Sequence, residues 1–185
     1  MDKRLADLLS LLDLERLEDN LFRGQSRDIG APQVFGGQVL GQALVAASRT
    51  VDDRLVHSLH AYFLRRGDVN APIVFEVDRS RDGGSFTSRR VVAIQHGQPI
   101  LTMSASFQIT EPGLDHQAPM PVAPPPEGLR ELGEINAEML DRVPEKVRFF
   151  FQHQRPFEFR PVNPPNYLDR IKTAPSKQVW FRVLD

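Results

Sequence analysis

Apolar residues recur near the start of the chain at Leu5, Leu8, Leu9 and Leu12, with Leu14 and Leu17 following less regularly. Spacings of three and four put these side chains on one helical face, with acids opposite. The pattern predicts an amphipathic lead-in helix within residues 5–20, there for packing. Residues 21–28 read as a first strand, closed by the breakers Gly30 and Pro32. A second helical run spans Gly37–Ser48, with Val39, Leu40, Ala43, Leu44 and Ala47 at helical intervals and small residues filling the other positions. A helix that is small on every side can be approached closely from several directions, as when a sheet encloses it. Between Asp28 and Asp52 there is no Asp or Glu.

The period then changes to two. His57–Leu64 alternates His57, Leu59, Ala61 and Phe63 against Ser58, His60, Tyr62 and Leu64. Pro72–Arg79 sets Ile73, Phe75 and Val77 on one side. Asp82-Gly83-Gly84 is a turn signal, as is His96-Gly97-Gln98-Pro99. Between them runs Ser85–Gln95. The last strand, Ile100–Ile109, points Leu101, Met103, Ala105, Phe107 and Ile109 one way and Thr102, Ser104, Ser106 and Gln108 the other. Long strands joined by tight turns predict an antiparallel meander. One helix enclosed by such a sheet is an α+β design, and its wrapped version is the hotdog fold.

After residue 110 the character shifts. Six of 15 prolines fall at 112, 119, 121, 124, 125 and 126, which predicts an extended linker. Residues 127–143 suggest a helix through Leu129, Leu132, Ile135, Met139 and Leu140. Residues 155–162 and 178–184 read as strands, and two strands cannot bury a core alone. The expected organisation is a hotdog domain over 1–110, a proline-rich linker with a short helix over 111–147, and the first strands of an incomplete second hotdog over 148–185.

Composition narrows the chemistry. The 185 residues carry a formal net charge of −1, which gives no electrostatic case for nucleic acid. Without cysteine there is no disulfide, thiolate metal site or cysteine nucleophile, which suits a cytoplasmic protein. The N-terminus carries acids ahead of its apolar run, unlike a secretory signal, and no apolar run nears the roughly 20 residues that span a bilayer. No membrane partner, metal or cofactor is expected.

Several motifs resemble, in order, the bacterial acyl-CoA thioesterase II family. They are Leu21-Phe22-Arg23-Gly24-Gln25-Ser26, Gln33–Leu44 with its Val34-Phe35-Gly36-Gly37-Gln38 opening, Val56–Arg65, Arg81–Val91, Met103–Gln108 and Gln178-Val179-Trp180. The resemblance covers essentially the whole chain. It implies a double hotdog that assembles further into oligomers and hydrolyses medium- to long-chain acyl-CoA without a cofactor. It also implies a catalytic Asp, Thr and Gln in the second hotdog, the Asp on that domain's central helix. None of the three maps onto this sequence, which ends before such a helix would begin. The expectation is therefore that the catalytic residues lie beyond Asp185 and that this chain alone is inactive.

Substrate-binding candidates here are Phe35, Gly36, Gly37, Gln38, His57, Arg65 and Arg89. The Gly36-Gly37 helix entry offers backbone N–H groups at a positive dipole end, and no Cβ blocks a carbonyl there. The competing reading is a tight strand-to-helix turn. Gln38 and Gln42 share one helix face, suited to a ligand or to backbone groups of the sheet. His57 and His60 point to opposite faces, so they form neither a catalytic pair nor one metal site. Arg65 and Arg89 belong to a set of arginines near strand ends whose forks match CoA phosphates. Arg89 and Arg90 face opposite ways, so only a subset can converge. Two other readings stand beside hydrolysis. One is a non-catalytic acyl-CoA-binding or assembly module. The other is an enoyl-CoA hydratase or dehydratase, which needs a His and an acid converging near the helix.

Overall fold

A computed structural model describes residues 1–152, 155–164 and 172–185. The chain forms two compact units, Leu9–Leu114 and Met1–Leu8 with Asp115–Asp185.

In the first unit, helix α2 (Gly36–Ser48) packs on a six-stranded antiparallel sheet. The strands are β1 (Glu15–Glu18), β2 (Leu21–Gly24), β3 (Leu55–Phe63), β4 (Ile73–Asp82), β5 (Phe86–Gln95) and β6 (Gln98–Gln108), in spatial order β1-β2-β4-β5-β6-β3. The chain leaves β2 near one edge, runs through α2, re-enters as β3 at the other edge, and returns as β4 beside β2. This α+β arrangement is the one the periodicities predict, with β4–β6 as the meander. Helix α2 touches β2 through β6, and Ala43, Ala46 and Ala47 are fully enclosed, so their small size sets the close approach. Against them pack Phe22, Ile73, Phe75, Val91, Ala93, Leu101, Met103 and Phe107. Each large apolar side chain so buried contributes about 1.5–3 kcal/mol.

Four local expectations shift. Helix α1 (Lys3–Leu12) stops early; Leu14 turns inward, and β1 forms a hairpin with β2. Arg23 closes that hairpin across the strands by pairing with Glu15 at 2.6 Å. The first strand ends at Gly24, which is pressed against the Gln42 amide and Leu14. Strand β3 is an edge strand with a register break between Val56 and Ser58, so simple alternation fails at His57. The turn between β5 and β6 narrows to His96-Gly97, both at positive φ, as two-residue hairpin loops require.

Residues 109–125 carry no regular structure, and the second unit takes up the chain from Asp115. The predicted helix over 127–143 resolves into a single-turn 3-10 helix (Pro126–Gly128), α3 (Leu132–Met139), N-capped by the Glu131 carboxylate, and a second short 3-10 turn. Helix α4 (Glu145–Gln152) follows, then an antiparallel pair, β7 (Phe157–Pro161) and β8 (Val179–Val183). The Trp180 indole N–H donates to the Pro124 carbonyl at 3.0 Å, tying the proline-rich segment to β8. Residues 153–154 and 165–171, within the stretch read as an incomplete second hotdog, lie outside the described residues.

Candidate functional site

Phe35 precedes α2 with extended backbone and gives no side-chain cap. Its carbonyl accepts from the N–H groups of Gln38 and Val39, the first bonds of the helix. Beside this helix start lies a cleft of about 400 Å³. Val34, Gly36, Val39 and Ile100 meet there with Phe63, Leu64, Arg65, Arg66 and Gly67, which follow one another from the end of β3. Two backbone bonds hold the wall: Val34 N–H to Gly67 O at 3.0 Å, and Leu64 N–H to Ile100 O at 2.8 Å. Gln95, on the inward face of β5, fixes the loop beyond. Its amide donates to Asp68 O at 2.9 Å and Ala71 O at 2.8 Å and accepts from Asp68 N–H at 2.8 Å. The lining among the described residues contains two arginines and no Asp, Glu or His.

Of the seven sequence candidates, the structure brings Gly36 and Arg65 into this cleft. The Arg65 guanidinium donates to the Pro99 carbonyl at 2.8 Å and keeps its other donors exposed. Phe35 and Gly37 adjoin, with the Phe35 ring in the space a Gly37 side chain would take. Gln38 points elsewhere: its amide donates to Gln25 O at 3.1 Å, as does that of fully buried Gln42, which also donates to Leu11 O at 2.8 Å. The glutamine pair thus ties down backbone, the alternative its helical spacing left open. His57 sits near the far end of β3, six residues and roughly 20 Å along the strand from Phe63. It bonds Ser106 Oγ at 2.8 Å and meets the Phe86 ring edge-on.

Arg89 is corrected by its surroundings. Its side chain is 2% exposed, and its five N–H groups go to Thr50 Oγ1, Thr50 O, Arg81 O, Ser88 O and Asp82 Oδ1. No donor remains for a phosphate. Arg89 instead fastens Thr50, two residues past α2, to the β4–β5 hairpin. Arg54 does the same from outside, donating to the carbonyls of Gly83 at 2.8 Å and Gly84 at 2.9 Å, so that turn presents acceptors rather than an anion cradle.

One acid–histidine pair was hidden by sequence distance: His96 Nε2 lies 2.9 Å from Asp68 Oδ2. The Asn70 N–H and then His96 hold the Asp68 carboxyl below the usual carboxylate range, which makes it a weak general base. The pair is solvent-facing and outside the cleft lining. Asp82 is likewise held low, chiefly by Arg89. Because both folded-state values lie below the unfolded ones, their stabilisation is complete above the unfolded carboxylate pKa of about 4 and is lost as pH falls through the folded values. Thermal melts from neutral to strongly acidic pH should therefore hold level and then drop below about pH 4. A melting temperature that stayed constant through that window would refute this linkage.

Among the described residues, no group of three or more His, Cys, Asp or Glu is placed to hold a metal. No helix there is long and apolar enough to cross a membrane.

Residues 24–108 match the family model described as acyl-CoA thioesterase N-terminal domain. The chain is 40% identical over 190 residues to human acyl-coenzyme A thioesterase 8, covering 98% of this chain and 60% of that protein. The crystal structure of acyl-CoA thioesterase II TesB2 from Mycobacterium marinum superposes with a TM-score of 0.71 at 42% identity, covering 96% of this chain and 60% of the other. A hot dog fold protein of Alicyclobacillus acidocaldarius superposes with a TM-score of 0.73 at 22% identity, a likeness of fold alone. The chain thus spans about three fifths of the length of these relatives.

Proposed function

Since the chain belongs to the acyl-CoA thioesterase family, we propose that it serves hydrolysis of medium- to long-chain acyl-CoA, binding substrate in its hotdog unit while the general base comes from outside Leu9–Leu114. The carrying observation is the cleft at the start of α2, with apolar walls, two arginines and no group able to activate water. Thioester hydrolysis needs a base for water and donors for the developing oxyanion. The arginines suit CoA phosphates and the apolar wall suits an acyl chain. Because α2 has no acid, the matching helix of a second hotdog is the expected source of the base.

The environment of β3 supports assembly. As the outer strand of the sheet it leaves one backbone edge unpaired, and Leu55, Leu59, Tyr62 and Leu64 are exposed along and just beyond it. An apolar edge of this kind calls for a partner sheet, and we place the protein in the cytoplasm as a homo-oligomer.

The test is thiol release from palmitoyl-CoA, with intact mass measured on the same sample. A species at the 21.0 kDa of this sequence should bind palmitoyl-CoA without releasing CoA, whereas a heavier species containing it should release CoA. Hydration of an enoyl-CoA without thiol release would replace this reading with the hydratase one.

A further inference from the structure

Phe63, the last residue of β3, lies directly over Gly36: a Cβ there would be 2.9 Å from the ring's Cε1 and 3.2 Å from Cζ. The ring therefore occupies the space that the missing side chain leaves. It is also 58% exposed, so protein holds it on one face and leaves the other open to solvent. Beneath it, buried Val34, Val39 and Ile100 line the cleft. These three can gain only from an apolar ligand, whereas Arg65 and Arg66 follow Phe63 in the same lining and suit an anionic one. One amphipathic ligand, apolar at one end and anionic at the other, satisfies both halves.

We propose that Phe63 is a specificity-determining residue: its ring is the wall that sets how long an acyl chain the cleft admits. The inference rests on the acyl-CoA reading above and adds to it the residue that limits chain length. At about 400 Å³ the cleft is near the lower end of small-molecule sites, so one phenyl ring is a substantial part of its boundary. Phe63→Ala enlarges the space over Gly36, and Phe63→Trp reduces it.

The experiment is calorimetric titration of octanoyl-CoA and palmitoyl-CoA into the wild-type protein, Phe63→Ala and Phe63→Trp. In Phe63→Ala the affinity ratio should move toward palmitoyl-CoA by about tenfold, the lower end of the discrimination that one methylene gives in an apolar pocket. In Phe63→Trp it should move the other way. Phe63→Leu, which keeps an apolar side chain, decides the matter if the alanine variant does not fold, and its shift should be smaller in the alanine direction. Wild-type binding with an unchanged ratio in these variants overturns the role of Phe63 and leaves the proposed function standing. Failure of the wild-type protein to bind either ligand overturns both.

Discussion

Arg89→Met is expected to lower the stability of the hotdog unit by about 1–3 kcal/mol, because the buried Thr50 carbonyl loses its guanidinium donor, while the Thr50 hydroxyl keeps its bond to the Ala47 carbonyl. Each orphaned buried acceptor costs about 1–3 kcal/mol. The ion pair with Asp82 adds little, since that carboxylate is half exposed and water screens it. Lysine does not rescue, because one ammonium cannot reach Thr50, the Arg81 and Ser88 carbonyls and Asp82 together. The site also places a cation by the C-terminal end of α2, where the helix dipole favours it. Urea denaturation followed by circular dichroism checks this. A midpoint unchanged in Arg89→Met would mean that the buried guanidinium is not a fastener of this fold.

Gly24→Ala is the second large effect. The new Cβ would lie 2.7 Å from Gln42 Nε2 and 2.9 Å from Leu14 Cδ2, and neither side chain has room to retreat. Overpacking of this kind costs about 1–3 kcal/mol. Gln42→Ala is harmful by itself, since Leu11 O loses its amide donor and a cavity opens. In the double variant, however, the alanine at 24 grows into the space the amide vacates. The two changes should couple by about 0.5–3 kcal/mol, with the double variant better than the sum of its parts. Strict additivity in a urea double-mutant cycle would contradict the packing described.

Periodicity made much of the fold legible. The inward residues of β4 and β6 were readable because a period of two leaves little choice of face, and α2 because small residues persist around it. The lead-in region misled because Leu14 and Leu17 extend a helical spacing while their side chains serve a turn and a hairpin. His57 misled because the register break beside it removes the alternation on which its predicted face depended. Arg89 carried an available signal: Thr87, Arg89, Val91, Ala93 and Gln95 share one face of β5, and the apolar members declare that face inward. A cation at such a position needs protein partners before it can serve a ligand. The partners themselves were not legible. Asp68 with His96, and Arg54 with the Gly83-Gly84 carbonyls, are brought together by strand pairing across 28 to 30 residues of separation. The cleft was half legible, since the glycine helix entry and Arg65 were visible, whereas Phe63 over Gly36 depends on where the edge strand ends.

The hotdog unit is proposed to bind acyl-CoA while supplying no base for hydrolysis. The most direct test is thiol release from palmitoyl-CoA by protein whose measured mass is the 21.0 kDa of this sequence, after calorimetry has shown that the same sample binds the ligand. The prediction is saturable binding with CoA release no faster than in buffer. Catalysed release of CoA by that species would contradict it and place a base among these 185 residues.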